Sequence, residues 1–297
     1  MDENAYRDWY FRYSKVFRTR LSQKSKARFL SALLLDLHQL GAAARILQYG
    51  SGKTPIQNVY VGDVTQADVV VATYYDTAPY FWGPYFYFDR KKQARQTTRT
   101  LLGLSILWLF LGGAITGFLM YFHFFAHWQF LSWKSLAALA IYGPFFALLA
   151  SFTRGSRFQK NTIRNTSSLL CLLSWIEKNR WGKGVAFAFY DQGAFGDQGL
   201  RRVQEEIGPA TKLLVLEAIG ARAPLFCGDL TNQHIQPLEE AFQNRPAARA
   251  LRLFAAEKVE PDGYLLSQDL LREEEADRAH FDQAEKWLAQ WKKEDAC

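Results

Sequence analysis

The sequence predicts an α/β fold, a mixed sheet flanked by helices, interrupted by a two-helix transmembrane hairpin. Three observations lead to it. Short β-branched and aromatic runs alternate with amphipathic stretches of helical period, the pattern of layered α/β domains. Leu101 to Phe122 carries no charge, and Leu136 to Phe152 forms a second apolar run; at ~1.5 Å per residue the first spans a hydrocarbon core of ~30 Å. The segments before and after these runs make better sense as halves of one domain than as two domains. The expected organisation is a basic, aromatic N-terminal helix over 1–27, a discontinuous cytoplasmic domain over 28–98 and 155–297, and the hairpin over 99–154.

In chain order, Tyr6, Tyr10, Tyr13, Phe17 and Leu21 recur at helical spacing among Arg7, Arg12, Lys15, Arg18 and Arg20. Such a helix either packs on the domain or lies on an anionic leaflet. A helix over Arg28–Leu40 and an apolar segment Ala43–Gln48 precede a strand pair around Val59–Val61 and Val69–Thr73. Beyond the hairpin the expected elements are a helix Ser167–Lys178, a strand Val185–Tyr190, a helix near Leu200–Ile207 and a strand Lys212–Ala218. A helix near Ile235–Gln243, an apolar segment Leu251–Ala256 and a long C-terminal helix Ser267–Lys293 follow. The apolar stripe of that last helix, including Phe281, Trp287 and Trp291, closes the sheet.

Charge placement orients the hairpin. Arg90, Lys91, Lys92, Arg95 and Arg99 precede the first span and Arg154, Arg157, Lys160 and Arg164 follow the second, whereas the connection holds only Lys134 with His123 and His127. The positive-inside rule then puts both flanks in the cytoplasm. Aromatic residues at the edges, among them Tyr80, Trp82, Tyr85, Phe86, Tyr87 and Phe88, have the composition of interfacial belts. Met1 to Arg28 lacks the apolar core of a secretory signal. The expected location is therefore the cell membrane, multi-pass, with both termini and the main domain cytoplasmic.

The net charge of +7 sits mostly beside the spans, without a nucleic-acid motif, which makes the lipid bilayer the expected partner rather than nucleic acid. Three cysteines without a CxxC spacing suggest neither a disulfide framework nor a cysteine zinc site. Gly50-Ser51-Gly52-Lys53-Thr54 lacks the first glycine and the following helix of a phosphate-binding loop. His123 and His127 have the i, i+4 spacing of a metal pair but no third ligand nearby. Gly113 and Gly117 make a small-xxx-small pair that permits close helix contact.

Asn58 to Ala78, reading NVYVGDVTQADVVVATYYDTA, resembles the paired strands that carry the first ligand loop of the di-zinc aminopeptidases, a family that includes glutamate carboxypeptidase and the transferrin receptor. In that family the aliphatic run ends in His-Tyr-Asp, the His binding zinc and the Asp orienting it. Here the triplet is Tyr74-Tyr75-Asp76, and a phenol with a pKa near ~10 is a poor neutral-pH zinc ligand. The stretch Thr162 to Ser168 resembles the turn that carries the bridging Asp, and Arg164 falls in its place. Asp191 to Gly196 resembles the Asp-Gly-Glu-Glu loop, with Gly193 and Ala194 at the paired glutamates, so no side chain remains to activate water. Glu217 retains an acid where the family holds a zinc-binding Asp, and Pro261 to Tyr264 lacks the last His.

The resemblance implies an aminopeptidase-like fold with a degenerate pocket of Tyr74, Tyr75, Asp76, Arg164, Gly193, Ala194 and Glu217. It implies no catalytic residue, no metal and no cofactor. The expected function is a membrane-anchored, inactive peptidase-like protein serving as a binding or scaffold subunit beside another membrane protein, as the transferrin receptor and nicastrin use this fold without peptidase action. Two alternatives stand beside it. One is an active metal-dependent aminopeptidase or other hydrolase using Asp76, Asp191, Asp197, Glu217 and His234. The other is a transporter or export accessory subunit that acts through its hairpin.

Overall fold

The structure, a computed structural model, describes residues 3–52, 54–78, 80–124, 129, 132–153, 161–178, 184–194, 196–244 and 246–292. Lys53, His127, Arg154, Arg157, Lys160 and Lys293, all used above, lie outside it. The chain forms two compact units, one of Met1–Ala78, Pro84–Phe88 and Lys160–Cys297, the other of Pro79–Gly83 and Asp89–Gln159.

The first unit is built on an eight-stranded mixed sheet. Its strands are β1 (Ala44–Tyr49), β2 (Ile56–Val61), β3 (Val69–Tyr74), β5 (Val185–Tyr190), β6 (Lys212–Glu217), β7 (Leu225–Asp229), β8 (Ile235–Pro237) and β9 (Ala250–Ala255), in the spatial order β1-β2-β5-β3-β6-β9-β7-β8. The four central strands β5, β3, β6 and β9 are parallel, and antiparallel pairs close both edges. Parallel strands covered on both faces read as continuous apolar runs rather than alternating ones. That is the reason for Val69-Val70-Val71-Ala72 and Val185-Ala186-Phe187-Ala188, all buried.

A smaller sheet joins β4 (Tyr85–Phe86), β11 (Gly263–Leu266) and β10 (Glu257–Val259), all antiparallel. Around the sheets lie α1 (Glu3–Phe11), α2 (Gln23–Gln39), α5 (Ser167–Lys178), α6 (Gln198–Glu206), α7 (Leu238–Gln243), α8 (Gln268–Arg272) and α9 (Ala279–Lys292), with π-helical turns at Arg12–Val16 and Thr162–Thr166. Trp175 on α5 and Trp287 on α9 are fully buried.

Five expectations change. Val59–Val61 and Val69–Thr73 are strands, but they do not pair; β5 lies between them, because both edges of β3 are taken by parallel partners. The second helix begins at Gln23 rather than Arg28, since Ser22 Oγ accepts the Ser25 amide in a capping box that fixes the helix start. Ile235–Pro237 is an edge strand, and only Leu238–Gln243 is helical, because Pro237 has no N–H for a helix interior. The C-terminal helix is two helices, with the Asp277 amide between them bonded to Gly220 O at 2.8 Å.

The last change concerns Tyr85, Phe86 and Tyr87, which are buried in the first unit rather than arranged as an interfacial belt. The N-terminal alternative resolves toward packing. Tyr6, Trp9 and Tyr13 are buried, and the Tyr13 hydroxyl donates to the buried Asp36 of α2. A helix with those aromatics inside the fold presents no such stripe to a leaflet.

The second unit holds α3 (Arg90–Tyr121) and α4 (Trp133–Thr153). Each contains a stretch long and apolar enough to cross a membrane. The helices meet where the Thr116 and Tyr142 hydroxyls share a 2.7 Å hydrogen bond and Trp108 packs edge-on against Phe145. A Cβ on Gly112 would stand 2.9 Å from the Phe145 ring, whereas Gly113 and Gly117 have nothing within 4 Å of that position. The contact inside the hairpin thus uses Gly112, since one residue turns a helix by about 100°.

Candidate functional site: a buried arginine–carboxylate pole

At the carboxyl ends of the parallel strands, where open α/β sheets bind their ligands, the side chains form two clusters. The first is centred on Glu217, the last residue of β6. Its Oε1 accepts from the Tyr85 hydroxyl at 2.8 Å and more distantly from Tyr74 at 3.5 Å, and its Oε2 lies 3.4 Å from Arg252 Nη1. Arg252, projecting from β9, also reaches Asp197 at 3.6 Å. The Arg164 guanidinium stacks 3.8 Å above the Tyr85 ring. Glu217 and Arg164 are only 5% and 4% exposed.

Burial penalises a charge unless an opposite charge and hydrogen bonds accompany it. Burial drives the Tyr74 hydroxyl well above the usual phenol range, with Glu217 and Tyr85 pushing the same way. Tyr74 is therefore a neutral hydroxyl at physiological pH, not a phenolate ligand. Burial would lower the Arg164 pKa, but Tyr74, Tyr85 and Glu217 outweigh it and raise it. A fixed cation therefore stands over the Tyr85 ring.

The second cluster surrounds Asp76, two residues past β3. Asp76 Oδ1 accepts the Gly193 and Ala194 amides at 2.8 and 3.2 Å, while its Oδ2 is buried without a hydrogen-bond partner. Burial raises its carboxyl to about 6, with Lys26 opposing and Asp191 reinforcing the shift. Asn165 ties the two clusters, its amide donating to Tyr74 O at 2.7 Å and Asp76 O at 3.2 Å. The wholly buried Arg20 donates to Asn165 and Thr166, yet its Nε and Nη1 find no hydrogen-bond partner. Burial lowers its pKa to about 10.

Of the pocket residues expected from sequence, Tyr74, Arg164 and Glu217 form the first cluster and Asp76, Gly193 and Ala194 the second. Tyr75 is on neither. Neighbouring residues of an extended chain point to opposite faces, and Tyr75 stacks on Phe29 and donates to Gln57 O at 2.8 Å. Gly193 is needed for packing, because a Cβ there would fall 2.2 Å from that of Tyr74. Gln192, Asp197 and Ala218 take positive φ angles of 54°, 57° and 49°, backbone strain of the kind that collects at functional sites.

Tyr85 and Arg252 were not foreseen. Tyr85 read as part of an aromatic belt, and Arg252 is a single charge in an apolar strand, LRLFAA, the one signal that could have marked it.

The alternative hydrolase set does not assemble. Asp191 pairs with Lys26, Asp197 and Glu217 pair with Arg252, and His234 sits in the turn before β8, its carbonyl accepting the Asp229 amide. Among the described residues no group of three or more His, Cys, Asp or Glu side chains could hold a metal ion. Zinc does not fit a pole in which Arg252 already occupies Glu217 and Asp197 and a second guanidinium, Arg164, stands over Tyr85, since metal sites need deprotonated donors without a competing cation.

With the geometry in place, the chain aligns over 99% of its length with a glutaminyl cyclase of Porphyromonas gingivalis, covering 98% of that chain at a TM-score of 0.55 and 10% identity. A second structure of the Porphyromonas gingivalis enzyme aligns over 98% of both chains, at a TM-score of 0.53 and 10% identity. The fold is that of the glutaminyl cyclases. It is the aminopeptidase-like fold expected from sequence, and at this identity the likeness concerns the fold alone. No protein-family model matches the sequence, and no curated protein matches it.

Proposed function

We propose that this chain is a degenerate, catalytically inert member of the di-zinc aminopeptidase group. It is held in a membrane by the α3–α4 hairpin and acts as a binding or scaffold subunit of a membrane complex. The observation that carries the reading is the pole itself: Arg252 pairs with Glu217, the Arg164 guanidinium covers the Tyr85 ring bonded to the same carboxylate, and Tyr74 stands neutral beside them. A buried guanidinium supplies the positive charge that metal ions would otherwise bring, and it cannot exchange ligands or polarise water as zinc does. The basic residues in the first turns of α3, Arg90 to Arg99, favour an orientation with the α/β unit and both termini in the cytoplasm.

Elemental analysis of the purified, detergent-solubilised protein tests inertness. We expect less than one zinc per ten chains and no cleavage of aminoacyl or glutaminyl reporters. One or two zincs per chain, lost together with turnover in Glu217→Ala, would establish an enzyme instead. Cysteine labelling in intact cells tests the orientation: a Cys at Gln129 should react from outside and a Cys at Gln93 should not.

A further inference from the structure

Residues 84–88 have the geometry of a bound extended peptide. Their backbone adds to the edge of β11, with Phe86 opposite Leu265, Tyr85 opposite Leu266, and the Tyr87 amide donating to Tyr264 O at 3.2 Å. Tyr85, Phe86 and Tyr87 are all buried, and the two tyrosines make the polar contacts. Tyr85 reaches Glu217 beneath the Arg164 guanidinium, and Tyr87 donates to Ala255 O at 2.6 Å with its ring 5.0 Å from that of Tyr85. Main-chain pairing on a sheet edge, with side chains held in pockets beside it, is a recurrent mode of peptide recognition.

We infer that the arginine–carboxylate pole is a groove for an extended peptide, occupied in cis by the chain's own Tyr85-Phe86-Tyr87. Its ligand in trans is an extended segment of another protein carrying hydroxyl-bearing aromatic side chains at alternate positions. This rests on the reading that the pole binds chain segments rather than metal. The selectivity follows from the two groups on Tyr85. Arg164 favours an aromatic face, and Glu217 rewards a hydroxyl, since a buried carboxylate that loses its donor carries the cost of an unmade bond.

A tethered strap faces its groove at an effective concentration on the order of millimolar, so it excludes a weaker free peptide until it leaves. Only two residues of β4 pair with β11, and a short edge pairing opens more readily than the central strands. The strap runs in sequence directly into α3. A partner that engages the hairpin or pulls on residues 84–88 would therefore uncover the groove.

The test uses the full chain in nanodiscs and a fluorescent, capped pentapeptide Pro-Tyr-Phe-Tyr-Phe, read by polarisation. Tyr85→Ser with Tyr87→Ser empties both pockets while leaving the backbone pairing available. We expect that variant to bind the peptide at least tenfold more tightly than wild type, and to bind Pro-Phe-Phe-Tyr-Phe several-fold more weakly than the parent peptide. Equal binding to variant and wild type, including no binding to either, overturns the inference. Hydrogen exchange on wild type is the second measurement and does not depend on the variant folding. The Tyr87 amide should exchange at least tenfold faster than the amides of β3, and exchange at the same rate means the strap opens only with the whole unit, which also overturns it. Zinc content measured on the same sample keeps the outcomes separate, because a zinc-loaded chain refutes inertness whatever the peptide does.

Discussion

Glu217 and Asp76 are both buried carboxylates at the carboxyl end of the central sheet, and the chain meets their cost in different ways. Around Glu217 the charge is answered by Arg252 at 3.4 Å and by the Tyr85 hydroxyl at 2.8 Å. Around Asp76 one oxygen takes two backbone amides and the other has no hydrogen-bond partner, and burial raises the carboxyl to about 6. At the first site both carboxylate oxygens are matched, although Arg252 Nε beside them is buried without a hydrogen-bond partner. The second keeps a group that is uncomfortable when ionised. A carboxylate with both oxygens matched holds its geometry, and one with an unmatched oxygen is where a change in conditions acts first.

Removing Arg252 should give the largest effect. Arg252→Met leaves Glu217 buried with its partner cation gone, and breaking a buried pair from one side costs about 3–5 kcal/mol. Chemical denaturation should show that loss. Adding Glu217→Gln, which removes the charge but keeps an acceptor for Tyr85, should recover most of it, as a double-mutant cycle will reveal. Additive losses in the double variant would mean that the two groups do not act as a pair.

The Asp76 prediction is smaller and has a sign fixed by linkage. Its folded pKa of about 6 lies above the ordinary 3.8, so the folded state binds a proton more readily than the unfolded state. The stability this proton contributes is present below about 4 and is lost as pH rises toward about 6. At about 1.4 kcal/mol per pKa unit, the swing is on the order of 3 kcal/mol. Asp76→Asn should flatten that part of the stability–pH profile and be at least as stable as wild type at pH 7. A variant that keeps the wild-type slope between pH 4 and 6 would place the titration elsewhere.

Tyr85→Phe should cost least, about 1–3 kcal/mol, because it deletes one hydrogen bond to a charged acceptor and retains the ring under Arg164. Equilibrium denaturation checks it. A cost equal to that of Arg252→Met would mean that the hydroxyl, not the guanidinium, carries the neutralisation of Glu217.

Much of the sheet was legible because a parallel strand buried on both faces is written as an unbroken β-branched run: Val69–Thr73, Val185–Tyr190 and Lys212–Ala218 each appear in the structure within a residue of expectation. Strand adjacency was not legible, since nothing local in Val59–Val61 says that Phe187–Phe189 will come between it and Val69–Thr73. In the candidate site, Tyr74, Arg164 and Glu217 could be named from loop order. Tyr85 could not, because a run of aromatics before an apolar span has the same composition whether it lies at a membrane edge or inside a groove.

The sequence by itself determined the chemistry available: which acids are missing, where the basic residues fall, and that two runs are apolar enough to span a bilayer. Those properties depend on composition and on short periods along the chain, and no fold can add a histidine. Only the tertiary structure decided the pairing. It brought Arg252 from one strand and Tyr85 from the segment before α3 onto one carboxylate at the end of β6, and Arg164 from a π-helical turn onto the Tyr85 ring. Contacts among residues dozens to more than a hundred positions apart are set by strand order and crossover connections, which short-range pattern does not encode.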